Sequence, residues 1–337
     1  MRVLFIGGTG NISTSVSRMA ISRGVDLYLL TRGQRAVEIT GAHSIRGDIK
    51  QPDQVRLLLD DLAGPDRPFD AVVNWIAFRP EDIERDLALF RGRTRQYVFI
   101  SSASVYQKPP RHYIITESTP LYNPHWAYSQ AKIACEERLV HAYREEDFPI
   151  TIVRPSLTYD TVFPIAIGGW GCYTLADRLL RGAPIIVHGD GSSLWTVTHA
   201  EDFARGFVGL LGHPQAIGDA FHITSDEVLT WNQIYGTIAD ALNVDPHIIH
   251  IPSDFIMKVS PGLGAGLIGD KAWSTVFDNR KVKTLVPEFA ANIPFHEGIR
   301  RTLTWFDADP VRKRVDARVN EEMDAIIAAY LGTGSKD

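Results

Sequence analysis

Tyr128 and Lys132 occupy the first and last positions of "YSQAK", and four residues make slightly more than one helical turn, so both side chains project from one face. On an isolated helix such a pair is an ordinary solvated face. A phenol is a poor base at neutral pH, but a neighbouring ammonium favours the phenolate and so lets the pair pass a proton. The run "FISSASVY" upstream places Ser102 just past an apolar stretch, at the carboxyl end of a strand, where ligands of open α/β sheets bind. Ser102, Tyr128 and Lys132 therefore read as a site for proton transfer at a substrate oxygen: Tyr128 as acid and base, Lys132 lowering its pKa, Ser102 orienting the oxygen.

A second chemical signal lies at the start of the chain. "VLFIGGTGNIS" leads a buried-type strand into Gly7, Gly8, Thr9 and Gly10 and then towards a helix through Asn11 and Ile12. Glycines there permit a tight turn and let the backbone approach a pyrophosphate, whose charge rests on the helix N-terminus. Ser13 stands where a third glycine is usual. The residue following the second strand selects the dinucleotide: an acid would hold the ribose of NAD, whereas "LLTRGQR" offers Thr31, Arg32 and Arg35, which favour the 2'-phosphate of NADP. NAD remains the alternative. "GDI" puts Asp48 and Ile49 near the adenine edge, and "NWIA", with Trp75 and Ala77, follows the fourth strand, where small residues let a cofactor lie across the sheet.

The elements needed to position these groups are legible in the pattern. Short β-rich runs ("RVLFIG", "DLYLLT", "HSIRG", "FDAVVNW", "QYVFIS") alternate with helical stretches at 11–23, 52–62 and 81–90, and "ITIVRPS" at 150–156 reads as a sixth strand. Parallel neighbours need crossovers, so βαβα order predicts an α/β, Rossmann-type doubly wound parallel sheet. Asn123 and Pro124 are placed to begin the helix that carries Tyr128. Glycine and proline become dense after about 157, which marks a smaller α/β lobe. We expect a core over 1–160, with 192–235 returning to it, and a substrate lobe over 161–191 and 236–337, interleaved.

With these motifs in hand, the chain resembles the extended short-chain dehydrogenase/reductases, the NAD-dependent epimerase/dehydratases. The resemblance rests on "GGTGNIS", "GDI", "SSASVY", "YSQAK", "IVRPSLTYD", "VHGDGSSLWTVTHAEDFARGF" and a late "FDNRKVKTLVPEFAANIPFHEGIRRTLTWF". It implies a catalytic set of Ser102, Tyr128 and Lys132, with Tyr128 and Lys132 also touching the cofactor and Lys132 holding the nicotinamide ribose, Pro155 and Ser156 at the nicotinamide end, and Ser101 beside it. Hydride exchange at an alcohol or carbonyl carbon of a sugar-like substrate follows as the expected reaction, with a reductase of a non-sugar carbonyl as the alternative. Dehydratases of this kind carry acidic residues where Ala103 and Ser104 stand. The arginine that clamps a nucleotide diphosphate is replaced, counting back from His199 and Asp202, by Trp195; Arg280, Lys281 or Lys271 would have to supply that charge. Ser104, Trp195 and Arg280 are the candidate substrate contacts. "GGTGNIS", "TRG" and "HGDG" also resemble the branch containing chloroplast stem-loop-binding proteins, so an NADP- or RNA-binding protein without activity is the competing class.

Composition narrows the partners. The chain has 337 residues, 45% of them hydrophobic, and 35 basic against 40 acidic residues for a net charge of -5. That size supports a substantial core and more than one lobe, while the acidic balance gives no electrostatic reason to expect nucleic acid or an anionic membrane. Cys135 and Cys172 form no CxxC or zinc-like cluster, so neither a disulfide scaffold nor a metal site is expected. The apolar "VLFI" ends at once in glycines and no run is long enough to span a bilayer, which reads as a cytoplasmic protein. A small-molecule substrate is the expected partner, with a homodimer as a further expectation.

Overall fold

The computed structural model describes residues 1–34, 37–64 and 66–332. The chain runs β1 (Arg2–Ile6), α1 (Ser13–Ser22), β2 (Asp26–Thr31), β3 (His43–Arg46), α2 (Pro52–Asp60), β4 (Ala71–Asn74), α3 (Pro80–Phe90), β5 (Tyr97–Ile100), β6 (Ile114–Ile115), α4 (Ala127–Glu146), β7 (Ile150–Pro155) and β8 (Leu157–Tyr159). Further on, α5 (Thr174–Leu180), β9 (Ile185–His188), β10 (Leu194–Trp195), β11 (Val197–His199), α6 (Ala200–Leu210) and β12 (Asp219–Ile223) follow. A seven-stranded sheet in the order β12-β7-β5-β4-β1-β2-β3 forms the centre, and every pairing in it is parallel.

Both faces of the sheet's centre are covered, which explains why inner strands such as β1 and β5 are apolar in near-continuous runs instead of alternating. Val3 and Phe5 point into one core with α1 and α6 residues such as Val16 and Phe207. Leu4 and Ile6 point into the other, with Val55 and Leu87 of α2 and α3. β1 pairs with both β2 and β4, and the chain winds outward in opposite directions from there. The resulting crevice beyond the carboxyl ends of β1 and β4 is the topological switch point at which such sheets bind ligands.

A third core belongs to the second lobe. It draws Leu157, Tyr159, Phe163, Ile185, Trp195, Val197, Trp231, Ile234 and residues as late as Ile327 together. Val282 and Val286, by contrast, pack on the sheet's α6 side. The two lobes thus exchange segments more than once.

The start of α4 differs from expectation. The helix begins at Ala127 with Trp126 at the N-cap position, so Asn123 does not cap it. Asn123 Oδ1 instead accepts from the His125 amide at 3.2 Å in a local turn, while its Nδ2 donates to the carbonyls of Ser104 and Gly269 at 2.8 and 2.6 Å. A short amide side chain satisfies backbone groups of neighbouring segments as readily as those of a helix, and here the tertiary partners win.

Candidate active site

A cleft of about 550 Å³ runs from the glycine turn to Tyr128 and Lys132. At its first end Gly7 and Gly8 adopt φ of 95° and 102°, the left-handed region that glycine enters without strain. A Cβ at Gly8 would stand 2.7 Å from Leu29 Cδ2, so the turn is closed to any other residue on steric grounds too. Ser13, in place of a third glycine, accepts the Gly10 amide on its Oγ at 2.8 Å, and Asn11 Nδ2 ties the loop to Thr158 O at 2.9 Å. Among the described residues the amides of Asn11 and Ile12 meet no acceptor. Unspent donors at a helix entrance facing a cleft fit an anionic pyrophosphate.

Past β2 the cleft is lined by Thr31 and Arg32 on one side and Asp48 and Ile49 on the other. Arg35 lies outside the described residues. Two groups that sequence reasoning overlooked stand here: Glu38, which also lines the cleft, and Arg46 at the end of β3, whose Nε is 3.8 Å from where a Gly33 Cβ would sit. Arg46 was hidden because only the pairing of β2 with β3, Thr31 opposite Arg46, brings it to the loop.

The "NWIA" segment divides its work. Trp75 borders the cleft but packs its ring on Phe5 and Phe207, with centroids at 5.6 and 5.1 Å. Ala77 is fully buried, and it is its carbonyl that matters, as an acceptor for Lys132. Ile76 and Phe78 are exposed apolar residues in the cleft wall, as is Trp170 from the "GGWG" loop.

Lys132 is 2% exposed. Its ammonium donates to Ala77 O at 2.8 Å and Ile100 O at 2.7 Å and lies over the rings of Phe78 and Phe99. Burial lowers its pKa to about 8. Burial also pushes the Tyr128 phenol up to about 12, opposed by a hydrogen bond with the Ser102 hydroxyl and reinforced by the Asp270 carboxylate. Without a bound cation, then, the phenol keeps its proton and stands ready as an acid.

Ser102 is positioned from beneath. Its Oγ lies 2.9 Å from Ser104 Oγ, which in turn receives Ser129 Oγ of α4 at 2.7 Å. Ser104 is 2% exposed, so its hydroxyl is spent inside the protein. Ser101, which does line the cleft, donates to Glu136 at 2.5 Å, and Glu136 holds Arg154 of β7 in a buried pair. Pro155 lines the cleft, while Ser156 Oγ donates to Thr196 O at 3.2 Å.

The other candidate substrate contacts lie elsewhere. Trp195 is 2% exposed and packs 5.7 Å from Trp231 in the second lobe's core. Arg280 is almost fully exposed and paired with Asp278. Lys281 pairs with Asp219. Of the three cations weighed for the missing clamp, only Lys271 comes near the site: its Nζ sits 5.3 Å from the Trp126 ring centre, and that ring is 4.8 Å from Tyr128. Trp170, by contrast, is exposed on the cleft.

Comparison with known proteins agrees with this geometry. Residues 3–224 match the model of the NAD dependent epimerase/dehydratase family. Among curated relatives, a 2'-dehydrokanamycin reductase of Streptomyces kanamyceticus is 26% identical over 86% of this chain and 80% of its own length. A 41 kDa chloroplast stem-loop binding protein of Arabidopsis thaliana is 24% identical over 75% of this chain and 67% of its own. The UDP-glucose 4-epimerase of Thermus thermophilus, solved with NAD, superposes with a TM-score of 0.70 at 19% identity, covering 91% of this chain and 99% of that one. Among the described residues no helix is long and apolar enough to cross a membrane, and no cluster of metal-ligating side chains occurs.

Proposed function

The chain belongs to the NAD dependent epimerase/dehydratase family, and from that premise we propose that it is a nicotinamide-dependent oxidoreductase or epimerase of sugar-like alcohols and ketones, using NADP. The observation that carries this reading is the meeting, at one end of the dinucleotide-sized cleft, of the Tyr128 phenol with the Ser102 hydroxyl and the Lys132 ammonium. The nicotinamide supplies the hydride exchange when bound. Ser102 holds the reacting oxygen, and Tyr128 gives that oxygen its proton in reduction or takes it in oxidation. Lys132, fixed by two carbonyls, holds the pocket floor and presents positive charge to the phenolate. Arg32 and Arg46 favour NADP by facing its 2'-phosphate. Ile76, Phe78 and Trp170 supply the apolar walls against which a sugar or ring face packs.

The test begins with cofactor. Purified protein titrated with NADPH and NADH by fluorescence should bind NADPH more tightly. Cofactor that co-purifies and survives dialysis marks an epimerase, because an epimerase returns the hydride within one turnover; free exchange marks a reductase. Absence of nicotinamide affinity, together with salt-dependent retention of structured RNA, would replace this reading by that of the stem-loop-binding relative.

A further inference from the structure

Ser101 lines the cleft beside Tyr128, Lys132 and Pro155, and beneath it lie two buried charges, Glu136 and Arg154, that take no part in the scheme above. Three elements bring this group together. Ser101 directly follows β5, whose Ile100 pairs with Val153 of β7, and its amide donates to Val153 O at 2.8 Å. Arg154 is therefore the next residue on the neighbouring strand. Glu136 lies one turn beyond Lys132 on α4 and is buried like it.

The direction of each hydrogen bond in this group follows from what its members can do. A guanidinium only donates, and a carboxylate paired with one only accepts. Arg154 Nε and Nη2 donate to Glu136 Oε1 and Oε2 at 3.0 and 2.5 Å, and Ser101 Oγ donates to Oε1 at 2.5 Å. A serine hydroxyl carries a single proton, so Ser101 has no donor left for the cleft. Among the described residues no group donates to its Oγ, which leaves its lone pairs for a donor from outside the protein. The nearby carbonyls of Ala77 and Ile100 are engaged by Lys132, and the Ser102 hydroxyl is shared between Ser104 and Tyr128. A nicotinamide carries a donor of the required kind in its carboxamide N–H, on the ring carbon next to the one that exchanges hydride.

We propose that Ser101 accepts a hydrogen bond from the nicotinamide carboxamide, and that Glu136 and Arg154 are positioning residues that keep the Ser101 proton turned away from the cleft. Holding the carboxamide limits rotation of the ring and so sets which of its faces meets the substrate. The proposal rests on the nicotinamide reading above, but its test needs no turnover. Protein is titrated calorimetrically with NADP and with its 3-acetylpyridine analogue, in which a methyl group replaces the amide nitrogen and all else is kept. Wild type binds NADP about fivefold or more tightly than the analogue, as loss of one hydrogen bond with a buried acceptor left unpaired requires. Ser101→Ala, which leaves the Glu136–Arg154 pair intact, brings that ratio below about twofold by weakening NADP and not the analogue. Glu136→Met/Arg154→Met removes both buried charges together, so neither is left unpaired, and frees the Ser101 proton for the cleft. The ratio again falls below about twofold although Ser101 is present, a result that a pair serving stability alone would not give. Should the double variant fail to fold, Ser101→Ala decides alone. Equal affinity of wild type for the two dinucleotides overturns the proposal, as does a ratio that persists in Ser101→Ala or in the folded double variant. A ribose hydroxyl as the donor gives the second of these outcomes, because Ser101→Ala then weakens both dinucleotides alike. Failure of wild type to bind either dinucleotide strikes instead at the oxidoreductase reading.

Discussion

The Lys132 ammonium lies 5.9 Å from the centre of the Tyr128 ring and spends its hydrogen bonds on the carbonyls of Ala77 and Ile100. The ammonium thus makes no hydrogen bond to the phenol, and the phenol, pushed up to about 12 by burial, keeps its proton at neutral pH. Removing the hydroxyl in Tyr128→Phe should lower kcat by about 10²–10⁴ with NADP affinity changed less than about threefold. Steady-state kinetics and a binding titration on the same variant check both halves.

Because burial lowers Lys132 to about 8, its charge is present below that pH and is lost as pH rises through it. Cofactor affinity should therefore fall above pH 8. Lys132→Arg, whose guanidinium does not titrate there, should show a flatter profile even if its absolute affinity is lower. A wild-type profile that stays flat well above pH 8 would show that the ammonium's charge is not what holds the cofactor.

Arg32 and Arg46 make the choice of dinucleotide testable. The double variant Arg32→Ala/Arg46→Ala should weaken NADP about tenfold or more relative to NAD. Glu38→Gln should have the opposite effect, since an acid on the cleft repels a 2'-phosphate. Equal losses for both cofactors would reduce these arginines to solvated loop charges.

Two tryptophans that look alike in sequence should behave differently. Trp170→Ala, at an exposed cleft residue, should raise substrate KM with little change in Tm. Trp195→Ala, in the second lobe's core, should cost about 3–5 kcal/mol in denaturant unfolding.

Stability at acid pH should report on His188. Its pKa is depressed from 6.5 to about 4 by burial, so between those values the unfolded chain binds the proton and the folded one does not, and stability is lost as pH falls through that window. Between pH 7 and pH 4.5 about 2 kcal/mol of that loss should be missing in His188→Gln, which can still donate to Lys271 O. Parallel urea curves at pH 7 and pH 4.5 for wild type and variant provide the check.

The sequence alone determined the framework, for reasons that are local. A strand such as "RVLFI" buried on both faces has to be apolar throughout, a turn with positive φ at Gly7 and Gly8 has to be glycine, and a one-turn spacing puts Tyr128 and Lys132 on one face. Each of these constraints acts within a few residues, so they can be read without knowing what packs against what. Tertiary structure decided everything that depends on distant segments meeting. Ser104, Trp195 and Arg280 are polar or aromatic residues in loops or at element ends, and nothing local separates a substrate contact from a buried brace, a core filler or a surface ion pair. Packing spent Ser104 on Ser102 and Ser129, sank Trp195 against Trp231 and left Arg280 in solvent beside Asp278. Asn123 had the right type to cap a helix, and Gly269, 146 residues away, took its amide instead.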